Sequence, residues 1–88
     1  MKDLNEARLE LNNIDDNIKQ QFIKRMNIIK EIAIYKKENN LPIFDPKREE
    51  EMIERLSKDT NELKEYYVRL LMEILKESKE YQEVVIKS

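Results

Sequence analysis

The sequence predicts an all-α protein of three helices: one very long, one short and one of medium length. Three observations lead to this class. Apolar residues recur at spacings of three or four along most of the chain, which is the period of an amphipathic helix. Glycine is absent, although β-hairpin turns and phosphate-binding loops commonly need it. Both prolines lie between residues 42 and 46, which leaves one main break in the chain.

The first helix is predicted from Asp3 to about Asn39, because neither glycine nor proline interrupts this stretch. About 36 residues at 1.5 Å each give a length of about 55 Å. A compact chain of this size has a radius of gyration of only about 12 Å, so two shorter helices cannot cover such a helix. We therefore expect a second copy to cover it, in an intertwined antiparallel homodimer with two-fold symmetry. The apolar stripe of this helix consists of Leu4, Ala7, Leu11, Ile14, Ile18, Phe22, Ile29 and Ile32.

The second helix is predicted from Pro46 to about Lys58, after a loop over residues 40–45. Asp45 is its expected N-cap, and Pro46 stands at the first helical position, where its missing N–H is no loss. Asn39 and Asn40 are plausible substitutes for glycine at the end of the first helix.

The third helix is predicted from Asn61 to about Ile86. Asp59 or Thr60 is its expected cap, with Glu62 in capping-box position for Asp59. The residues that we expect to point inward from this helix are Leu63, Tyr67, Leu70, Ile74, Tyr81 and Val85.

The composition restricts the function of this chain, which we interpret as a single helical domain over residues 1–88. The net charge is −2 with both signs interspersed, so no basic surface for nucleic acid is expected. Histidine and cysteine are absent, which argues against a zinc site, imidazole catalysis and thiol chemistry, and no cofactor or metal is expected. No apolar run approaches membrane-spanning length and the start of the chain lacks a secretory signal, so we expect a cytoplasmic protein without a membrane partner.

Several polar residues stand on faces that the helical period assigns to the interior. Arg25 and Lys36 are three helical turns apart and share the apolar face of the first helix. Glu49 heads the apolar stripe of the second helix, while Ser78 and Gln82 interrupt that of the third. A lone cation on such a face usually snorkels or pairs with a carboxylate. Several polar residues together favour a binding site.

These residues, their order and the three-helix pattern resemble the all-helical chorismate mutases of the AroQ type. The resemblance covers essentially the whole chain and rests on eight residues of the expected type: Arg8, Arg25, Lys36, Asp45, Arg48, Glu49, Ser78 and Gln82. It implies an enzyme of phenylalanine and tyrosine biosynthesis in the shikimate pathway, which rearranges chorismate to prephenate by an intramolecular 3,3-shift.

The resemblance implies that four of these residues are catalytic. Lys36 and Gln82 donate hydrogen bonds to the ether oxygen of chorismate. Arg25 clamps a carboxylate, for which a forked guanidinium is suited. Glu49 accepts from the ring hydroxyl.

The resemblance assigns the other four residues to substrate binding. Arg8 clamps a carboxylate, Ser78 lies at the ring carboxylate, Asp45 lies near the ring hydroxyl, and Arg48 keeps Glu49 charged and oriented. Arg8 and Arg25 are 17 residues apart, or about 25 Å along one helix, so one chain cannot bring both to the same small molecule. We therefore expect Arg8 to come from the partner chain, with the two-fold axis near Lys19.

Two alternatives remain open on the sequence. An isochorismate pyruvate lyase of the same fold would use a similar cationic pocket. A non-catalytic helical dimerisation or regulatory module would use Arg25 and Lys36 as interchain ion-pair partners, with Ser78 and Gln82 as incidental polar positions. The sequence also leaves open whether this is a free-standing enzyme or a domain of a fusion with a dehydratase, dehydrogenase or synthase.

Overall fold

The computed structural model describes residues 2–88 and contains three α-helices. They are α1 (Leu4–Glu38), α2 (Pro46–Ser57) and α3 (Lys64–Lys87), and a 3-10 turn at Asn61–Leu63 leads into α3. The described residues form no strand, so the predicted all-α class is confirmed. Within residues 2–88, every helix is too short or too polar to cross a lipid bilayer.

Both ends of α1 follow from local chemistry. The Asp3 carboxylate accepts a hydrogen bond from the Glu6 N–H at 2.9 Å and caps the start of the helix. At the other end Asn40 has a φ of 53°, in the left-handed region that asparagine tolerates better than most residues. The Leu41 N–H then donates to the Lys36 carbonyl at 2.9 Å, as in a Schellman motif. The prediction that asparagine replaces glycine at this end is confirmed for Asn40.

The start of α2 is confirmed and the predicted cap of α3 is wrong. The Asp45 carboxylate accepts from the Arg48 N–H at 3.1 Å, with Pro46 in the first turn. Before α3, in contrast, the Thr60 hydroxyl donates back to the Ser57 carbonyl at 2.7 Å. Asp59 has a φ of 60°, and neither the 3-10 turn nor α3 has a side-chain cap. The helix therefore begins at Lys64, later than predicted, because the chain first makes a tight turn.

The core lies on α3, against which both other helices pack. Met52 of α2 packs with Leu71 and Leu75 of α3, while Ile29 and Ala33 are the buried residues of α1. In the described chain the backbones of α1 and α2 do not come close to each other. The space between them is therefore open, and α3 lies beneath it.

The buried face of α3 differs from the predicted one. Its buried residues are Leu71, Leu75, Ser78 and Gln82. Leu63 and Leu70, which we expected inside, are 59% and 54% exposed. The true face is offset by one residue, or about 100° around the helix. The first half of α3 is apolar on nearly every side, so its periodicity alone does not select a face. The other residues expected inside are only partly buried: Tyr67, Ile74, Tyr81 and Val85.

Much of α1 has no cover within the chain. The molecule measures 55 × 26 × 14 Å, and its radius of gyration of 16.4 Å exceeds the value of about 12 Å for a compact chain of this length. The exposed apolar residues of the predicted stripe are Leu4, Leu11, Ile14, Ile18, Phe22 and Ile32. The antiparallel homodimer that would cover them stays a prediction.

Candidate active site

A cavity of about 470 Å³ lies between α1 and α2, with α3 as its floor. Seven of the eight predicted site residues line it: Arg25, Lys36, Asp45, Arg48, Glu49, Ser78 and Gln82. Its apolar lining includes Ile28, Ile29, Ile32, Met52 and Leu75. Arg8 does not line the cavity and is exposed near the start of α1. The fold thus brings together residues from every helix and from the loop before α2.

Arg25 is held in the cavity by contacts to both other helices. Its guanidinium donates a hydrogen bond to the Ser78 hydroxyl on α3, and a second nitrogen lies 3.8 Å from the Met52 sulfur on α2. Burial lowers the pKa of Arg25, and the positive charge of Arg48 lowers it further. An arginine nevertheless stays protonated at neutral pH. The site therefore holds a positive charge that no carboxylate within ion-pair distance neutralises among the described residues.

Lys36 connects α1 to the loop before α2. Its ammonium donates to the Ile43 carbonyl at 2.9 Å. Within residues 2–88 it makes no ion pair. An ammonium has three N–H donors, so this bond leaves two that a ligand in the cavity can use.

Glu49 has a charge partner that the sequence did not reveal. The Lys79 ammonium on α3 lies 3.1 Å from one Glu49 carboxylate oxygen and 3.3 Å from the other. We expected Arg48 beside Glu49 instead, and the described residues show no ion pair between those two. Lys79 also lines the cavity. The sequence did contain one indication that Lys79 lies near the site. Lys79 stands three residues before Gln82, so both residues lie on the same side of α3.

Gln82 is a buried polar residue of the cavity with an unsatisfied side-chain oxygen. Its side chain is 5% exposed, and its amide oxygen has no hydrogen-bond partner among the described residues. Leaving a buried polar atom unpaired costs about 1–3 kcal/mol. Such an atom calls for an explanation. An amide oxygen only accepts, so a hydrogen-bond donor on a ligand in the cavity would supply its missing partner.

The cavity is electropositive, although the chain has a net charge of −2. Its lining holds four cations, Arg25, Lys36, Arg48 and Lys79, but only two carboxylates, Asp45 and Glu49. The Asp45 carboxylate is partly engaged, because it caps α2. Two positive charges are therefore left over, as suits a ligand with two negative charges.

The chain is all-helical, and its open cavity with surplus positive charge and an apolar wall is the kind of site expected for an anion with an apolar body. A comparison with protein families identifies the family of this chain. Residues 7–83 match the family model described as chorismate mutase type II. This chain belongs to that family. The resemblance to the AroQ type is confirmed, and the predicted class of enzyme agrees with this family. The lyase and the non-catalytic module are not favoured.

Two curated relatives support the family at the level of sequence. A bifunctional chorismate mutase/prephenate dehydratase of Buchnera aphidicola subsp. Schizaphis graminum is 42% identical over 79 residues, which cover 86% of this chain and 20% of the relative. The protein of the same name from Buchnera aphidicola subsp. Acyrthosiphon pisum is 37% identical over 83 residues, 91% of this chain and 22% of the relative. The chain thus spans about a fifth of their length. No solved structure matches significantly.

Proposed function

We propose that this chain binds chorismate in the cavity between α1 and α2 and rearranges it to prephenate there. The observation that carries the proposal is the surplus of two positive charges in the cavity lining. Chorismate is a dianion with two carboxylates, an ether oxygen and a ring hydroxyl. The apolar wall of Ile28, Ile32 and Leu75 suits its ring.

The rearrangement is intramolecular, so the protein need not attack the substrate or exchange a proton with it. One bond breaks at the ether oxygen while a carbon–carbon bond forms. Catalysis then requires a compact reactive conformer and donors aimed at the oxygen where negative charge develops. Lys36 is suited to this role because two of its N–H donors are unused. Gln82 is suited because its buried amide lines the same cavity.

The remaining cavity residues hold the ends of the substrate in this proposal. Arg25 binds one carboxylate, and Ser78 lies beside it, where its hydroxyl accepts a hydrogen bond from Arg25 and orients the guanidinium. Arg48 presents a second guanidinium from the first turn of α2. Glu49 accepts from the ring hydroxyl, with Asp45 close by in the lining.

We further propose that the active unit is an antiparallel homodimer in which Arg8 of one chain completes the site of the other. The uncovered stripe of α1, including Leu11, Ile14 and Ile18, supports this assembly. Arg8 is exposed on the same helix, about 25 Å before Arg25, too far to reach the cavity of its own chain. An antiparallel pairing centred near Lys19 brings Arg8 opposite residue 30, between Arg25 and Lys36.

The names of the curated relatives include a second activity, prephenate dehydratase. An association of this chain with such a domain is a proposal that rests on that similarity. It is chemically consistent, since the dehydratase acts on the product of the rearrangement. The cytoplasmic location also stays a prediction.

The direct test incubates the purified chain with chorismate and follows the loss of its diene absorbance. Conversion to prephenate, identified by mass spectrometry and by its acid conversion to phenylpyruvate, is the expected result. A parallel incubation with isochorismate that releases pyruvate would instead favour the lyase. If neither compound turns over, the catalytic proposal is wrong. Sedimentation of the same sample at twice the chain mass would support the dimer.

A further inference from the structure

We propose that Lys79 is a positioning residue for the rearrangement, which holds the Glu49 carboxylate in the orientation that accepts the ring hydroxyl. The inference deepens the proposed function and rests on it, because Lys79 acts on the same site. It adds a residue that the eight matched positions do not include.

The geometry of the Lys79–Glu49 pair fixes the orientation of the Glu49 carboxylate, in addition to neutralising its charge. The Lys79 ammonium lies 3.1 and 3.3 Å from the two Glu49 oxygens, so it straddles both. A carboxylate offers about four lone-pair sites, and those on the cavity side remain available to a ligand. The side chains are only 33% and 21% exposed, so solvent and salt screen this pair less than an exposed one.

A third group holds the ammonium in place. The Lys79 nitrogen lies 4.6 Å from the centroid of the Phe44 ring, within the range of a cation–π contact. Lys79 belongs to α3, Glu49 to α2, and Phe44 to the loop before α2. Because the backbones of α1 and α2 do not come close to each other, α2 takes its position at the cavity mainly from α3. Through its contact with Glu49, Lys79 therefore connects α3, the floor of the cavity, to α2, one of its walls.

The surrounding charges explain why Glu49 needs its own cation. The cavity also holds Arg25, Lys36 and Arg48, any of which would attract a mobile carboxylate. A Glu49 side chain that turned toward one of them would neutralise a charge needed for the dianionic substrate. The Lys79 pair keeps the carboxylate at its own side of the cavity. It preserves both the hydroxyl acceptor and the surplus positive charge.

The test is a double-mutant cycle between Lys79 and Glu49, read as kcat/KM for chorismate. Lys79→Met keeps the length of the side chain and removes its charge. We expect it to lower kcat/KM about 10- to 100-fold, the range for losing a charge-assisted hydrogen bond. In a Glu49→Gln background the same change should cost less than about threefold, because the carboxylate to be positioned is gone. Lys79→Arg keeps the charge and should recover at least half of the lost log(kcat/KM).

Lys76→Met is the matched control, since Lys76 is exposed on α3 and does not line the cavity. It should retain the parental kcat/KM. Circular dichroism should show folded protein for every variant at the assay temperature. Equal losses from Lys79→Met in both backgrounds, or no loss in either, would overturn the inference while the proposed function stood. A parent chain that does not convert chorismate would overturn the proposed function and this inference with it.

Discussion

Arg25 on α1 donates a hydrogen bond to the hydroxyl of Ser78 on α3, although 53 residues separate them in the chain. The same hydroxyl donates a hydrogen bond to the Ile74 carbonyl at 2.7 Å. Its oxygen can therefore act only as an acceptor toward the guanidinium. Ser78 is thus locked by its own helix and in turn fixes Arg25. A small buried side chain on the floor of the cavity orients a cation on its wall.

The first prediction concerns this pair. Ser78→Ala removes the acceptor, and the Arg25 guanidinium loses its fixed orientation. A hydrogen bond to a charged group is worth about 1.5–3 kcal/mol, so kcat/KM for chorismate should fall about 10- to 100-fold. The control is Ser57→Ala, because Ser57 is buried on α2 outside the cavity and donates only to the Glu54 carbonyl. It should keep the parental kcat/KM. A Ser78→Ala enzyme as active as the parent would remove the hydroxyl from the site.

The second prediction is that Lys36→Ala nearly abolishes turnover while the chain stays folded. Lys36 is an ammonium with a neutral partner, the Ile43 carbonyl, on the apolar side of α1. Removing a preorganised donor to developing charge typically lowers the rate about 10²- to 10³-fold. Lys37→Ala tests the neighbouring lysine, which is exposed and lies outside the cavity lining, and it should be near parental. A near-parental kcat for Lys36→Ala would exclude Lys36 from catalysis.

The sequence predicts the helices of this fold well because interactions between residues close in sequence determine where the helices end. Asp3, Asn40 and Asp45 each mark a helix end through a bond or dihedral angle formed within a few residues. The rotation of α3 is not local. Leu70 and Leu71 are equally apolar neighbours, and only packing against α1 and α2 decides that Leu71 is the buried one.

The candidate site likewise contains residues that local sequence patterns reveal and residues that only tertiary packing reveals. Arg25, Lys36 and Gln82 were detectable because each interrupts an apolar stripe on its own helix. Lys79 gave no such signal, since a lysine between a serine and a glutamate looks like an ordinary solvated residue. Its significance comes from Glu49, 30 residues earlier, and from Phe44 in the loop. Those contacts exist only once α2 and α3 have packed together.

The third prediction concerns pH. Gln82 cannot titrate, so its donated hydrogen bond should persist across neutral and mildly alkaline pH. In Gln82→Glu only the protonated carboxyl can donate to the ether oxygen. Because a glutamate in water has a pKa of about 4.3, raising the pH converts it to a carboxylate that repels the developing charge. The activity of the variant should therefore fall as pH rises, whereas that of the parent should not. Measuring kcat/KM from pH 4.5 to 8 checks this, and identical profiles would remove Gln82 from that role.

The last prediction tests whether sites are shared between chains. Arg8→Ala and Lys36→Ala should each be nearly inactive as homodimers, since each removes one cation from both sites. After the two variants are unfolded together and refolded, activity should return. In a mixed dimer, one site takes Lys36 from the Arg8→Ala chain and Arg8 from the Lys36→Ala chain, so it is complete. The other site carries both lesions.

The expected level of that recovery follows from two-fold symmetry. With random pairing roughly half of the dimers are mixed, and one of their two sites is complete, so about a quarter of all sites should work. Mixing without unfolding gives the baseline before exchange, and mass spectrometry of the intact dimers gives the mixed fraction. Arg8 and Arg25 are 17 positions apart on one continuous helix, α1, which cannot bend back to place both in one cavity. If mixed dimers form and stay as inactive as their parents, Arg8 does not complete the partner's site, even though α1 still pairs.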